Sequence, residues 1–301
     1  MAVFTSFNIL ANNFLPLNVA LEVKGGIVPE PLSLIALGAA IGGGAGKFVD
    51  KAWDSGEKWV VSYFADHQKK AKEKAEDNSA DFLKKLGKRV AELEQTRQIS
   101  EESLITAQEH PDFSVVLQKA MLSAAQTENE NKHDLLSRLV AERIQASPES
   151  MLAMASKMAC DAISYTTPNQ LQILGLLTNL LYIEPDGIVD PSQNIKWLQA
   201  RTVPFLEVKA NNMDFTHLES LSCLKFEAFI TRDLTKVFSQ KFKNNFDYES
   251  FKTTQVGIQL IDLWEKGALK SCQLTTVGQM IGVMVSDQFV GGKTNMSSWG
   301  A

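Results

Sequence analysis

Residues 31–46, PLSLIALGAAIGGGAG, run for sixteen positions without a charge and set Gly38, Gly42 and Gly46 four apart. On a helix that spacing places the three glycines on one face, a groove against which another backbone can lie. Each glycine costs a helix in water about 1 kcal/mol relative to alanine. The run therefore predicts a glycine-rich helix compensated from outside itself, by a closely packed partner helix or by a low-dielectric environment. Glu22, Lys24 and Glu30 are the only charges before Lys47. A membrane-spanning helix takes about 20 apolar residues, roughly 17 at minimum, so the run is short for that purpose. Packing inside a protein assembly, self-association and insertion into a membrane all stay open. The first 21 residues hold no Lys or Arg, which argues against a secretory leader.

Phe48, Trp53, Trp59, Tyr63 and Phe64 follow at near-helical spacing. Trp and Tyr beside an apolar segment are what an interfacial anchor uses; the plainer expectation is a core helix whose aromatics face its neighbours. The candidate packing or membrane residues are accordingly Gly38, Gly42, Gly46, Trp53, Trp59 and Tyr63.

The remainder reads as mainly α: a helical bundle with a winged-helix-like unit at its C-terminal end. Four spans are expected, an N-terminal segment 1–64, a helical middle domain 65–166, a winged-helix-like domain 167–290 and a flexible tail 291–301. Residues 65–81 are good helix formers of mixed charge, and Phe82, Leu86, Val90 and Leu93 then give a helical stripe. A long helix is expected over 113–146, with the charged TENEN either facing water or dividing it. Within it Glu130, Asp134, Arg138 and Glu142 fall at successive steps of four and predict a salt-bridged, solvated face. Ser147-Pro148-Glu149 reads as a helix start, as do Thr167-Pro168-Asn169-Gln170, Thr216-His217-Leu218-Glu219 and Thr276-Val277-Gly278-Gln279. Residues 186–201 read as a connection and 205–209 as a strand. Val256, Leu260, Leu263 and Trp264 predict an amphipathic helix stopped at Lys266-Gly267, followed by a strand-like LKSCQL and a last helix.

Chemistry-bearing motifs are scarce. GGGAGK at 42–47 resembles a phosphate loop, but Ile41 stands where its first Gly belongs and Phe48 where a magnesium-binding hydroxyl belongs. None of the four histidines shares a metal-ligand spacing with another His or Cys, and Cys160, Cys223 and Cys272 form no CxxC. No catalytic residue, cofactor or metal is predicted. The three thiols suit a reducing cytosol. A net charge of −5 argues against wholesale nucleic-acid binding. Arg232, Lys236, Lys241, Lys243 and Lys252 nevertheless make a basic stretch that could meet DNA or anionic lipid, or face solvent.

AGKFVDKAWDSGEKWV, NKHDLLSRLVAERIQ and TTPNQLQILGLLTNLLY together resemble an uncharacterised bacterial helical family, which brings no mechanism. The C-terminal LTTVGQMIG resembles the end of the abortive-infection alpha family of phage-defence proteins. That resemblance implies a bacterial protein of defence or stress, cytoplasmic or associated with the inner membrane, with no catalytic residue to carry over. Two functions are expected on these grounds. One is a non-enzymatic effector that self-associates, or engages membrane lipid, through its glycine-zipper helix. The other is a winged-helix adaptor or DNA-binding regulator. A homo-oligomer is the partner expected in the first case, and an unidentified protein or nucleic acid in the second.

Overall fold

Periodic apolar residues and closely spaced helix starts give this chain thirteen α-helices among the described residues. The computed structural model describes residues 41–185, 190–227, 229, 231–292 and 294. Gly38 and the rest of the uncharged run before Ile41 lie outside them, as does most of the tail expected after Gly291.

The first part is a bundle of α1 (Gly43–Tyr63), α2 (Lys69–Gln95), α3 (Glu101–Glu109), α4 (Pro111–Ala125), α5 (Glu130–Gln145) and α6 (Met151–Tyr165). The helix expected over 113–146 is divided at TENEN, where Asn129 accepts from the N–H groups of Asn131 and Lys132 and starts α5. The solvated face expected on α5 is a correction. Burial reaches all round this helix, including Lys132, His133, Arg138 and Arg143, because α2, α4, α6 and the last helix pack about it. Its charges are neutralised inside the bundle: Arg143 meets Asp112 at 2.6 Å, and Asp112 also pairs with Lys157 of α6. His133 Nδ1 lies 2.7 Å from Asp81, while Nε2 faces the carbonyls of Thr127 (2.8 Å) and Ala124 (3.2 Å). One ring thereby ties α2, α5 and the end of α4 together.

The second part comprises α7 (Pro168–Leu181), α8 (Pro191–Thr202), α9 (Asn212–Ser220), α10 (Leu234–Lys241), α11 (Tyr248–Phe251), α12 (Gln255–Glu265) and α13 (Thr276–Val290). β1 (Leu224–Phe226) and β2 (Cys272–Leu274) form an antiparallel pair, with Phe226 opposite Cys272 and Leu224 opposite Leu274. α7 lies along α13, and Gly282 of α13 admits the approach, while Gly278, four residues earlier, admits the chain before β1. A Cβ on Gly278 would strike the carbonyl of Cys223, and one on Gly282 would strike Thr178. These two glycines of the last helix are each closely packed.

Several local expectations shift. The capping box of Thr167 and Gln170 is present, each side chain accepting from the other's backbone N–H. The last helix starts one residue early, with Thr275 accepting from Gly278 N–H. Ser150, not Ser147, caps α6, and Asn211 rather than Thr216 caps α9. The connection expected at 186–201 holds α8, capped by Asp190 with Pro191 as its first residue. The strand expected at 205–209 is absent; a 3-10 turn over Val203–Phe205 precedes it and Phe205 is fully buried.

Candidate functional site

The residues singled out at the N-terminal junction occupy an unusual helix start. Ile41 is helical, but Gly42 and Gly43 turn the chain through φ values of 68° and 63°. This is the left-handed region, which glycine enters without steric penalty. α1 has no acidic residue in its first turn and no side-chain cap of its own. Glu94, from the last turn of α2, supplies one: its Oε1 accepts from Gly44 N–H and its Oε2 from Ala45 N–H, both at 3.1 Å. A carboxylate is disfavoured at the C-terminal end of its own helix and favoured at the N-terminal end of another, so this position suits α1 and not α2. A Cβ on Gly44 would stand 2.7 Å from Glu94 Oε1, so a larger residue there would require the carboxylate to shift. Beside it, Lys47 pairs with Glu101 at 2.7 Å.

This geometry bears on two expectations. Two of the N–H groups that a phosphate at this turn would use donate to a carboxylate instead. The three-glycine face is corrected as far as it is described. Gly42 is exposed and lies off the helix, whereas Gly46 is buried within α1, so the two do not share a helix face. Gly38 lies outside the described residues. Gly56, further along α1, also admits a close neighbour: a Cβ there would collide with Met121. Trp53 and Trp59 are half-buried against the core, and of the three aromatics singled out only Tyr63 is exposed, next to exposed Val61.

The C-terminal part of α2 lines a cleft with α5 and α13. Arg89 meets Asp134 at 2.5 Å and donates to Ser137. Arg138 meets Asp287 at 2.7 Å and Glu142 at 3.6 Å. Asp287 in turn accepts from Thr294 N–H and Oγ1, at 2.7 and 2.9 Å. Burial raises the Glu142 carboxyl above its ordinary value, against the opposing pull of Arg138. These charges are largely satisfied by one another, which fits an ionic joint between α5 and α13. Sequence reasoning finds three members of this group, Asp134, Arg138 and Glu142, by their spacing. It has no signal for Asp287, whose pairing is set by tertiary packing.

The basic stretch does not assemble into one surface. Lys241 is buried, with Nζ 2.5 Å from the Asn179 carbonyl and 5.3 Å from the centre of the Trp197 ring. Burial, then the nearby Arg201, push its amine down to about 7. Arg232 is half-buried and donates to the Cys272 carbonyl at 2.8 Å. Lys236 and Lys243 are exposed, and exposed Lys252 pairs with Glu249.

All three cysteines are buried, and burial pushes each thiol up to about 12. Thiols so placed are not nucleophiles at neutral pH. Among the described residues no group of three or more His, Cys, Asp and Glu side chains is arranged to hold a metal ion. Nor is any described helix long and apolar enough to cross a membrane.

The model of an uncharacterised family matches residues 46–259, a span that opens in the first turn of α1 and closes in α12. No curated protein matches the chain, and no solved structure does.

Proposed function

The chain belongs to that uncharacterised family, and from its N-terminal junction we propose that it is a non-enzymatic bacterial effector of the defence or stress type. In this reading the helical body carries an apolar N-terminal segment that self-associates, at or in the inner membrane. The observation that carries it is the uncharged run 31–46, which ends at a helix start held from a distance by Glu94. A sixteen-residue stretch without charge, joined to a body whose own apolar residues are largely buried, has most to gain from a second apolar surface. The resemblance of LTTVGQMIG to the abortive-infection alpha family supports a role in defence, and the buried thiols remove one class of catalytic nucleophile.

The test places a charge within the run. In bacterial cells expressing the wild type, the protein is expected in the membrane fraction or in large assemblies, with growth arrested. Leu37→Lys is expected to return it to the dispersed fraction and restore growth. Equal fractionation and equal growth for both proteins would contradict the reading.

The winged-helix alternative draws on the order α12, β2, α13. Ile258 is 59 % exposed on α12, and Leu206, Ile261 and Leu263 line a groove beside it. Asp262, Glu265 and Lys266 border the same groove, a balance better suited to a protein partner than to a phosphate backbone. The adaptor form is therefore the stronger version of this second reading, and a gel shift at low salt is the measurement that would restore the DNA-binding form.

A further inference from the structure

α6 reverses the usual distribution of bulk on an amphipathic helix. Its buried face is mostly small, with Ala153, Ala155, Ser156, Ala159 and Cys160, and the large residue there is Ile163. Its exposed positions are Met151, Met154, Met158, Asp161 and Tyr165. The three methionines are between 36 and 60 % exposed. Spaced three and four apart, they share one face over about two turns. Single apolar side chains on a surface need no account, but a row of three thioethers does. α6 is held by other contacts: Lys157 pairs with Asp112, Asp161 with Lys119, and Ser164 with Ser123 of α4. Elsewhere among the described residues sulfur is mostly shut in. Met121, Met280 and Met284 are at most 1 % exposed, and all three cysteines are buried, with thiols pushed up to about 12. Oxidants reach sulfur according to exposure and, for thiols, thiolate character. The reachable sulfurs are therefore thioethers, the row on α6 and Met213 on α9.

We propose that the Met151, Met154 and Met158 face of α6 is a site of reversible oxidation, whose substrates are small two-electron oxidants such as hydrogen peroxide and hypohalous acids. With peroxide, a sulfur lone pair attacks one oxygen, the O–O bond breaks and a sulfur–oxygen bond forms. The proton on the transferred oxygen passes to the departing hydroxide, which leaves as water. The thioether is oxidised to a sulfoxide and the peroxide is reduced. A hypohalous acid gives the same sulfoxide and leaves as halide and a proton. Each sulfoxide turns an apolar side chain polar, so the face changes character while the ion pairs and the buried side of α6 stay as they are. A thiol-dependent sulfoxide reductase restores the thioether, the oxygen leaving as water while two thiols become a disulfide. The site does not rest on the function proposed above.

The full chain is treated with hydrogen peroxide near neutral pH, and oxidation is mapped by peptide mass spectrometry over time. Met151, Met154 and Met158 are expected to oxidise at least about tenfold faster than Met121, Met280 and Met284. Thermal unfolding of the oxidised protein is expected to stay cooperative, and its retention on a hydrophobic-interaction column to fall. A sulfoxide reductase with dithiothreitol is expected to restore the retention. In Met151→Leu/Met154→Leu/Met158→Leu, where side-chain volume is nearly kept, the same treatment is expected to leave most of the retention in place, Met213 being common to both proteins. Row methionines that react as slowly as the buried ones would overturn the site. So would loss of cooperative unfolding once the row is oxidised, or retention that falls equally in the variant. The comparison of rates is made on the wild type alone and stands whether or not the variant folds.

Discussion

Arg138 and Asp287 meet at 2.7 Å with the aspartate side chain 2 % exposed, and the pair joins the middle of the bundle to its last helix. Removing one partner strands the other in a low dielectric, a loss of about 3–5 kcal/mol for buried pairs. Asp287→Asn and Arg138→Met are each expected to destabilise on that scale. The double variant is expected to lose markedly less than their sum. Urea unfolding of the four proteins measures it, and additive losses would show that the pair is not coupled.

Helix starts that differ by one residue make a sharp test of register. Thr275 accepts from Gly278 N–H, so Thr275→Ala is expected to cost about 1 kcal/mol. Thr276 lies within α13, and Thr276→Ala is expected to fall within about 0.5 kcal/mol of wild type. The reverse order in thermal unfolding would restore the start read from the sequence.

Lys241 gives the fold a pH dependence of known sign. Its amine titrates at about 7 in the folded protein, below its ordinary value of 10.5. Between those values the unfolded chain binds a proton there that the folded chain does not, so unfolding free energy rises with pH across this window. Below about 7 both states carry the proton and the contribution is flat. The urea midpoint of the wild type is expected to climb from about pH 7 to about pH 9.5 more steeply than that of Lys241→Met. Parallel slopes would show that the amine titrates normally.

The three thiols provide a count. With Cys160, Cys223 and Cys272 buried and their ionisation pushed up to about 12, a thiol-alkylating reagent near neutral pH is expected to leave the native protein unmodified. In denaturant the same reagent is expected to add three labels. Mass spectrometry reads both states, and fast native labelling would show a reactive thiol in reach of solvent.

What is legible in the sequence follows from local physics. The apolar stripes of α2 and α12 and the reciprocal cap of Thr167 and Gln170 depend on neighbours within a few residues, and the structure has them where the spacing puts them. The central position of α5 is not legible, because a row of alternating charges looks the same whether water or other side chains answer it. Arg143 finds Asp112, and Arg138 finds Asp287, through packing that no spacing reveals. The glycine run misleads for a related reason. Spacing assumes an unbroken helix, and the interruption at Gly42 is set by Glu94, which lies 50 residues beyond Gly44 in the chain. Lys241 groups with surface bases by its neighbours in sequence, whereas Trp197 and the α7 carbonyls enclose it.

Whether the uncharged N-terminal run brings copies of this chain together is decided by sedimentation equilibrium of the full chain, wild type beside Leu37→Lys. An oligomer is expected for the wild type and a monomer for the variant, with equal thermal unfolding of the helical body. A wild type that sediments as a monomer, or an oligomer that the added charge leaves intact, would contradict the proposed function.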